Sequence, residues 1–179
     1  ATTATNNVAI GRDSMGSVSS GVAATNNIAI GRNTLKSISS TDADGSIAIG
    51  RDAGTAITSG IANVAIGFEA LKVEDDGDRN TAIGYQALLS QTGTSGTVSN
   101  TAVGYYAGAS ITTGVSNTAI GAQALDAITN SNYNTAVGHY ALSALSGSHQ
   151  YNTAVGHMAG YGIIRGGGNV SIGYKAGEN

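Results

Sequence analysis

Cysteine, proline and tryptophan are absent from this 179-residue chain, phenylalanine occurs once, and charged residues make up only 11%. Without cysteine no disulfide staples the fold, and the redox compartment is left open. The scarcity of large aromatics disagrees with a rounded enzyme domain and suits a thin β-structure, which needs no bulky core fillers. Eight Lys and Arg against eleven Asp and Glu give a formal charge of −3. No basic cluster is present to neutralise phosphates, so nucleic acid is not expected as a partner. No run approaches the roughly 20 apolar residues of a membrane span, and no basic, apolar opening resembles a signal peptide. Membrane insertion is not expected.

What is present is one phrase, repeated ten times from end to end: Asn, then Thr, Val or Ile, then Ala, then Ile or Val, then Gly. Its closing glycines are Gly11, Gly31, Gly50, Gly67, Gly84, Gly104, Gly121, Gly138, Gly156 and Gly173, separated by steps of 17 to 20 residues. Periods this short mean stacked one-turn units. A β-branched, alternating segment of about five residues is a strand signature, and the period is too short for a strand plus a helix. An aliphatic residue returns seven places after most glycines, as in Val18, Ile38, Ile57, Ile111, Ile128, Leu145 and Ile163. The rest is Ser, Thr, Gly, Asn and Asp, which is turn chemistry and absorbs the length variation. The expected fold is an all-β parallel β-solenoid of about ten coils of 17–20 residues, a single repeat domain over residues 1–179.

The asparagine column comprises Asn7, Asn27, Asn63, Asn80, Asn100, Asn117, Asn134, Asn152 and Asn169, with Ser46 as its one replacement. In register these residues stack, each amide bonding its neighbours or capping the turn backbone. The alternative is that Asn merely tolerates a left-handed turn conformation. Both readings make the column a structural ladder.

Along the strand, the Ile or Val before each glycine shares a face with the Thr, Val or Ile two places earlier, while Ala and Gly line the other. Neither face is charged. With strands ~4.8 Å apart, ten of them make a rod roughly 45 to 50 Å long, bearing an apolar stripe of the kind that marks an interface. The strand is therefore expected to be covered on one side by its own coil and on the other by a second chain. The repeat runs to both ends without a polar terminal copy, and open solenoid ends are exposed sheet edges. A segment of a longer fibre is expected.

Phrases such as NNVAIG, NTAIGYQAL, NTAVGYYAG and NTAVGHYAL resemble the head repeats of trimeric autotransporter adhesins, and still more the repeats of long bacteriophage tail-fibre proteins. The likeness covers essentially the whole chain and is most specific at the Asn-x-Ala-Ile-Gly core. Adhesin head repeats are typically shorter. The resemblance implies a left-handed parallel β-roll, a homotrimer or end-to-end fibre, and display outside a cell or on a virion for attachment to a host-surface glycan or protein receptor.

The residue after each glycine is Arg in the first three copies, then Phe68, Tyr85, Tyr105, Ala122, His139, His157 and Tyr174, while Tyr106, Tyr140 and Met158 stand in the next column. Tyr85, Tyr105, Tyr106, His139, Tyr140, His157 and Tyr174 form a candidate recognition column, able to meet sugars or a receptor. The plain alternative is lateral packing at a seam or a solvated rim. His139 and His157 fall on successive turns, but no Cys or carboxylate completes a metal set within the repeat. No metal or cofactor is expected. Two acidic loops, Asp42 and Asp44 before Gly45, and Glu74, Asp75, Asp76 and Asp78 around Gly77, lack the ligand spacing of a calcium loop and are expected as solvated turns. The long loop from Gln91 to Ser99 is a further place for binding. No catalytic residue is expected. The Ile/Val-Gly-x-x-Ala hexad resembles that of left-handed helical acyltransferases, yet occurs once per coil where those proteins need three. A regular column of Thr81, Thr101, Thr118, Thr135 and Thr153 also resembles the arrays of ice-binding solenoids, without their Thr-x-Thr pairing.

Overall fold

The computed structural model describes residues 4–18, 21–40, 43–93, 96–145, 149–163 and 165–178. Asp42 of the first acidic loop, residues 94 and 95 of the long loop and residue 164 lie outside them. The described residues contain twelve strands and no helix: β1 Val8–Ile10, β2 Ile28–Ile30, β3 Ile47–Ile49, β4 Val64–Ile66, β5 Gly77–Asp78, β6 Thr81–Ile83, β7 Gly96–Thr97, β8 Thr101–Val103, β9 Thr118–Ile120, β10 Thr135–Val137, β11 Thr153–Val155 and β12 Val170–Ile172. Ten of them form one parallel sheet in the order β1-β2-β3-β4-β6-β8-β9-β10-β11-β12, and β5 pairs with β7 in a small second sheet. The register is strict: Ala faces Ala from β1 through β11, and Ala154 faces Ser171 at the last step. The chain is thus an all-β parallel solenoid of about nine turns, as the repeat implies.

Each column has a conformational or packing reason. From β2 to β11 the central alanines point inward and are buried, while Ala9 of the end strand β1 is exposed; the flanking Thr, Ile and Val point outward and remain partly or fully exposed. The closing glycines lie at φ between 120° and 139°, a region that L side chains rarely adopt. They also pack coil against coil: a Cβ on Gly121 would sit 2.6 Å from the carbonyl oxygen of Gly138. The second residue after each glycine and the fourth both take the left-handed conformation, as in Gln123 (φ 54°) and Leu125 (φ 51°). That alternation turns the chain without a helix and aims the Leu side chain into the core. There Leu35, Leu71, Leu88, Leu125 and Leu142 are fully buried beside Ile38, Ile57, Ile111, Ile128 and Leu145. Where Gly54, Gly108 and Gly160 replace Leu, side chains of the same coil and of the preceding one fill the space; Ile57 and Leu35 methyls lie 3.1 Å from where a Cβ on Gly54 would stand.

The asparagines run as one hydrogen-bonded line through the interior. The backbone N–H of each column member donates to the side-chain oxygen of the member before it, at 2.8 Å from Asn27 to Asn7, 2.8 Å from Asn117 to Asn100 and 3.1 Å from Asn169 to Asn152. Ser46 keeps the line intact, its Oγ accepting from the Asn63 N–H at 3.2 Å. The amide Nδ2 caps a loop carbonyl of the following coil, for example Ala43 from Asn27 and Ser131 from Asn117. The left-handed conformation falls instead on the residue before each asparagine, such as Ser116 and Tyr133.

One expectation is corrected. Glu74 is not part of a solvated turn; its carboxylate is completely buried. It stands seven places after Gly67, where most coils have an aliphatic residue, and Gln91 holds the same place in the next coil, also buried. Glu74 Oε1 accepts from the N–H groups of Gly77 (2.8 Å) and Asp75 (3.0 Å), and Oε2 from Asn80 Nδ2 (3.5 Å). Burial pushes its pKa up, partly offset by the two N–H donors. Gln91 Oε1 accepts from Asn100 Nδ2, and its Nε2 donates to Thr112 O, both at 2.8 Å. Two further carboxylates of that loop are tied to the preceding coil: Asp78 Oδ1 accepts the Ile61 N–H, and Asp75 Oδ1 accepts the Thr58 hydroxyl.

Candidate recognition surface

The first column after the glycines stands outside the sheet's edge, held there by backbone hydrogen bonds between coils: Gln123 N–H to Tyr105 O (2.8 Å), Tyr140 N–H to Ala122 O (3.1 Å), Met158 N–H to His139 O and Lys175 N–H to His157 O (both 2.9 Å). Side chains of successive coils therefore lie one rung apart, stacked face to face except His139 and His157, whose planes are tilted by 44°. Arg51 lies over the Phe68 ring at 4.3 Å, Phe68 stacks on Tyr85 at 5.1 Å, and Tyr85 on Tyr105 at 5.5 Å. Further along, His139 and His157 are 5.2 Å apart, and His157 stacks on Tyr174 at 5.4 Å.

The second column braces the first. Tyr106 meets Tyr105 edge-on at 4.5 Å and is tilted against Tyr85, and Tyr140 lies 4.1 Å from His139. Desolvation in this cluster, with the Tyr85 and Tyr105 hydroxyls close by, raises the Tyr106 pKa. In the earlier coils the second column is polar and paired: Asn33 Nδ2 donates to Asp52 at 2.7 Å, and Gln86 Nε2 to Glu69 at 2.6 Å. Hydrogen bonds from Lys72 and Gln86 hold the Glu69 carboxyl below its ordinary pKa.

All seven candidate residues thus lie on one edge, in two groups: Tyr85, Tyr105 and Tyr106, then His139, Tyr140, His157 and Tyr174. Stacked rings spend their faces on each other, so edges, polar tips and the outer sides of the rings that end each group meet solvent, as at Tyr105 and Tyr174. Sequence reasoning missed a second aromatic pair on the other flank of the sheet, Tyr133 and Tyr151, exposed and stacked at 5.2 Å with planes 2° apart. The signal was available, since each immediately precedes its repeat asparagine. Between the flanks lies the outer sheet face, two uncharged columns of Thr, Val and Ile, exposed at Ile120 and Val155 and at the end strands. Among the described residues, no three His, Cys, Asp or Glu gather as a metal group, and no helix is long and apolar enough to cross a membrane.

These features define a class, an in-register parallel β-solenoid with an internal asparagine line and an external aromatic edge. Comparison with protein-family models, curated proteins and solved structures gives no match for this chain.

Proposed function

We propose that the chain is a non-catalytic segment of a surface fibre, displayed outside a cell or on a virion, that assembles through its outer sheet face and presents its aromatic edge to a host glycan or protein receptor. The observation that carries this reading is the outer face itself. Ten strands in strict register offer a continuous Ile/Val column next to a Val, Ile or Thr column, with no charge in either. An unbroken Ile/Val stripe of that kind favours burial against another copy, and the resemblance to adhesin heads and tail fibres favours three chains. Sedimentation of the isolated chain tests assembly: the expected mass is near three times 17.6 kDa. Ile120→Asp, at the middle of the face, is expected to dissociate that species, whereas Tyr105→Ala leaves the mass unchanged and weakens attachment. A monomeric wild type removes the obligate interface.

The Thr column supports a second reading, ice binding, because Thr81, Thr101, Thr118, Thr135 and Thr153 pair directly with one another along the sheet. Thermal hysteresis decides that reading, and its absence ends it.

A further inference from the structure

The aromatic edge is continuous in its backbone and interrupted in its side chains. From Phe68 to Tyr174 every rung of the first column carries a ring except one, Ala122. The backbone bonds from Gln123 to Tyr105 and from Tyr140 to Ala122 keep Ala122 one rung from each neighbour. The Tyr105 and His139 rings are therefore two rungs apart, ~9.6 Å at the spacing of β-strands. The second column is interrupted at the same coil, where Gln123 replaces a tyrosine and reaches Asp126 at 3.4 Å. From Phe68 to Tyr105 and from His139 to Tyr174 each first-column ring meets the next at 5.1–5.5 Å; on the side toward Ala122, Tyr105 and His139 have no first-column ring, and their own second-column neighbours Tyr106 and Tyr140 lie against them at 4.5 and 4.1 Å. Exposure follows the number of ring neighbours, 42% at Tyr85 between two rings, 53% at Tyr105 beside the gap and 72% at Tyr174 at the end of the column.

We infer that this missing rung is a binding slot for one neutral pyranose ring of a glycan, sandwiched between Tyr105 and His139 above the Ala122 methyl. Thickness favours a sugar over a flat aromatic group. Carbon atoms in contact lie about 3.5–4.0 Å apart, so a planar ring between two others fills only ~7–8 Å. The pucker and axial hydrogens of a chair take up the remainder. Polarity agrees as well. No Lys, Arg, Asp or Glu stands in either column from Tyr105 to Met158, and beside Ala122 the second column carries the neutral Gln123 amide, whose Nε2 donates to Asp126 at 3.4 Å. A charged ligand finds no counter-ion in these columns.

The inference rests on the attachment reading and narrows its glycan branch to a place. Saturation-transfer NMR on the wild-type chain, with the methyl pyranosides of glucose, galactose, mannose and N-acetylglucosamine and with phenol as a flat probe, tests it. Transfer to the ring protons of at least one pyranoside is expected. Ala122→Tyr, which supplies the missing rung, is expected to weaken binding at least tenfold, while Tyr133→Ala, on the other flank of the sheet, changes it less than twofold. Should Ala122→Tyr fail to fold, Ala122→Leu fills the same slot. The inference is overturned if no pyranoside binds, if phenol alone binds, or if filling the slot leaves pyranoside affinity unchanged. The sedimentation mass reports on assembly independently: a trimer without sugar binding removes only the slot, and a sugar-binding monomer removes only the assembly.

Discussion

The coils around Ile111 and Ile128 and the coils around Glu74 and Gln91 share one backbone path but close their interiors by opposite chemistry. In the first pair a branched aliphatic side chain fills the space beside the buried Leu. In the second pair a carboxylate and an amide fill it, and they are tolerated because their polar atoms bond the loop N–H groups, the asparagine line and a carbonyl of the next coil. The solenoid thus asks two things of that position, volume and saturation of polar atoms, and apolarity is only one way to meet both. Where the polar pair sits, the loops also differ, with β5 and β7 adding a second short parallel pairing.

The strongest test of this shared frame is the glycine column, which both coil types use identically. Gly121→Ala, in an aliphatic coil, and Gly84→Ala, in a polar one, each place a Cβ against the next glycine's carbonyl at a φ that disfavours it. Each is expected to cost about 4 kcal/mol in denaturant unfolding. A difference of more than about 1 kcal/mol between them would break the idea of one backbone with two fillings. Next in size, Ile128→Ala should lose about 3 kcal/mol by opening a cavity. Gln91→Leu should stay within about 1 kcal/mol of wild type, because Asn100 Nδ2 still reaches Gly114 O and the Thr112 carbonyl still accepts the Thr92 N–H. Equal losses in the two variants would contradict that contrast.

The smallest effect concerns pH. The fold raises the Glu74 pKa, so it favours the protonated carboxyl. The stability that this contributes is complete below the unfolded value of 4.5 and is lost as pH rises through the higher folded value. Glu74→Gln should therefore melt a few degrees above wild type at neutral pH and converge with it in mild acid. A pH-independent gap in melting temperature would remove protonation as its cause.

The strands, their register and the inward alanines were legible in the sequence because one five-residue phrase fixes both faces of every rung. The asparagine column was legible as structure, but its choice between two roles was not, since the φ values that separate them fall on the preceding residue. Glu74 was misread because its charge and its acidic neighbours Asp75 and Asp76 look like a solvated turn. Counting from Gly67 would have placed it in the aliphatic column, which means that repeat position outweighs residue type in a solenoid. The aromatic edge, with its interruption at Ala122, was legible as a column, whereas the stacking that uses up its ring faces depends on side-chain geometry.

Because the asparagine line and the sheet hydrogen bonds run along the axis, with each coil contacting only its neighbours, a pull on the chain ends loads the coils one after another. Such a rod yields by peeling. Each coil lost frees about 17 residues, close to 58 Å of extended chain at ~3.4 Å per residue, while those behind it stay zipped. As a tether, the chain would give way in even steps and dissipate a tug gradually before it parts.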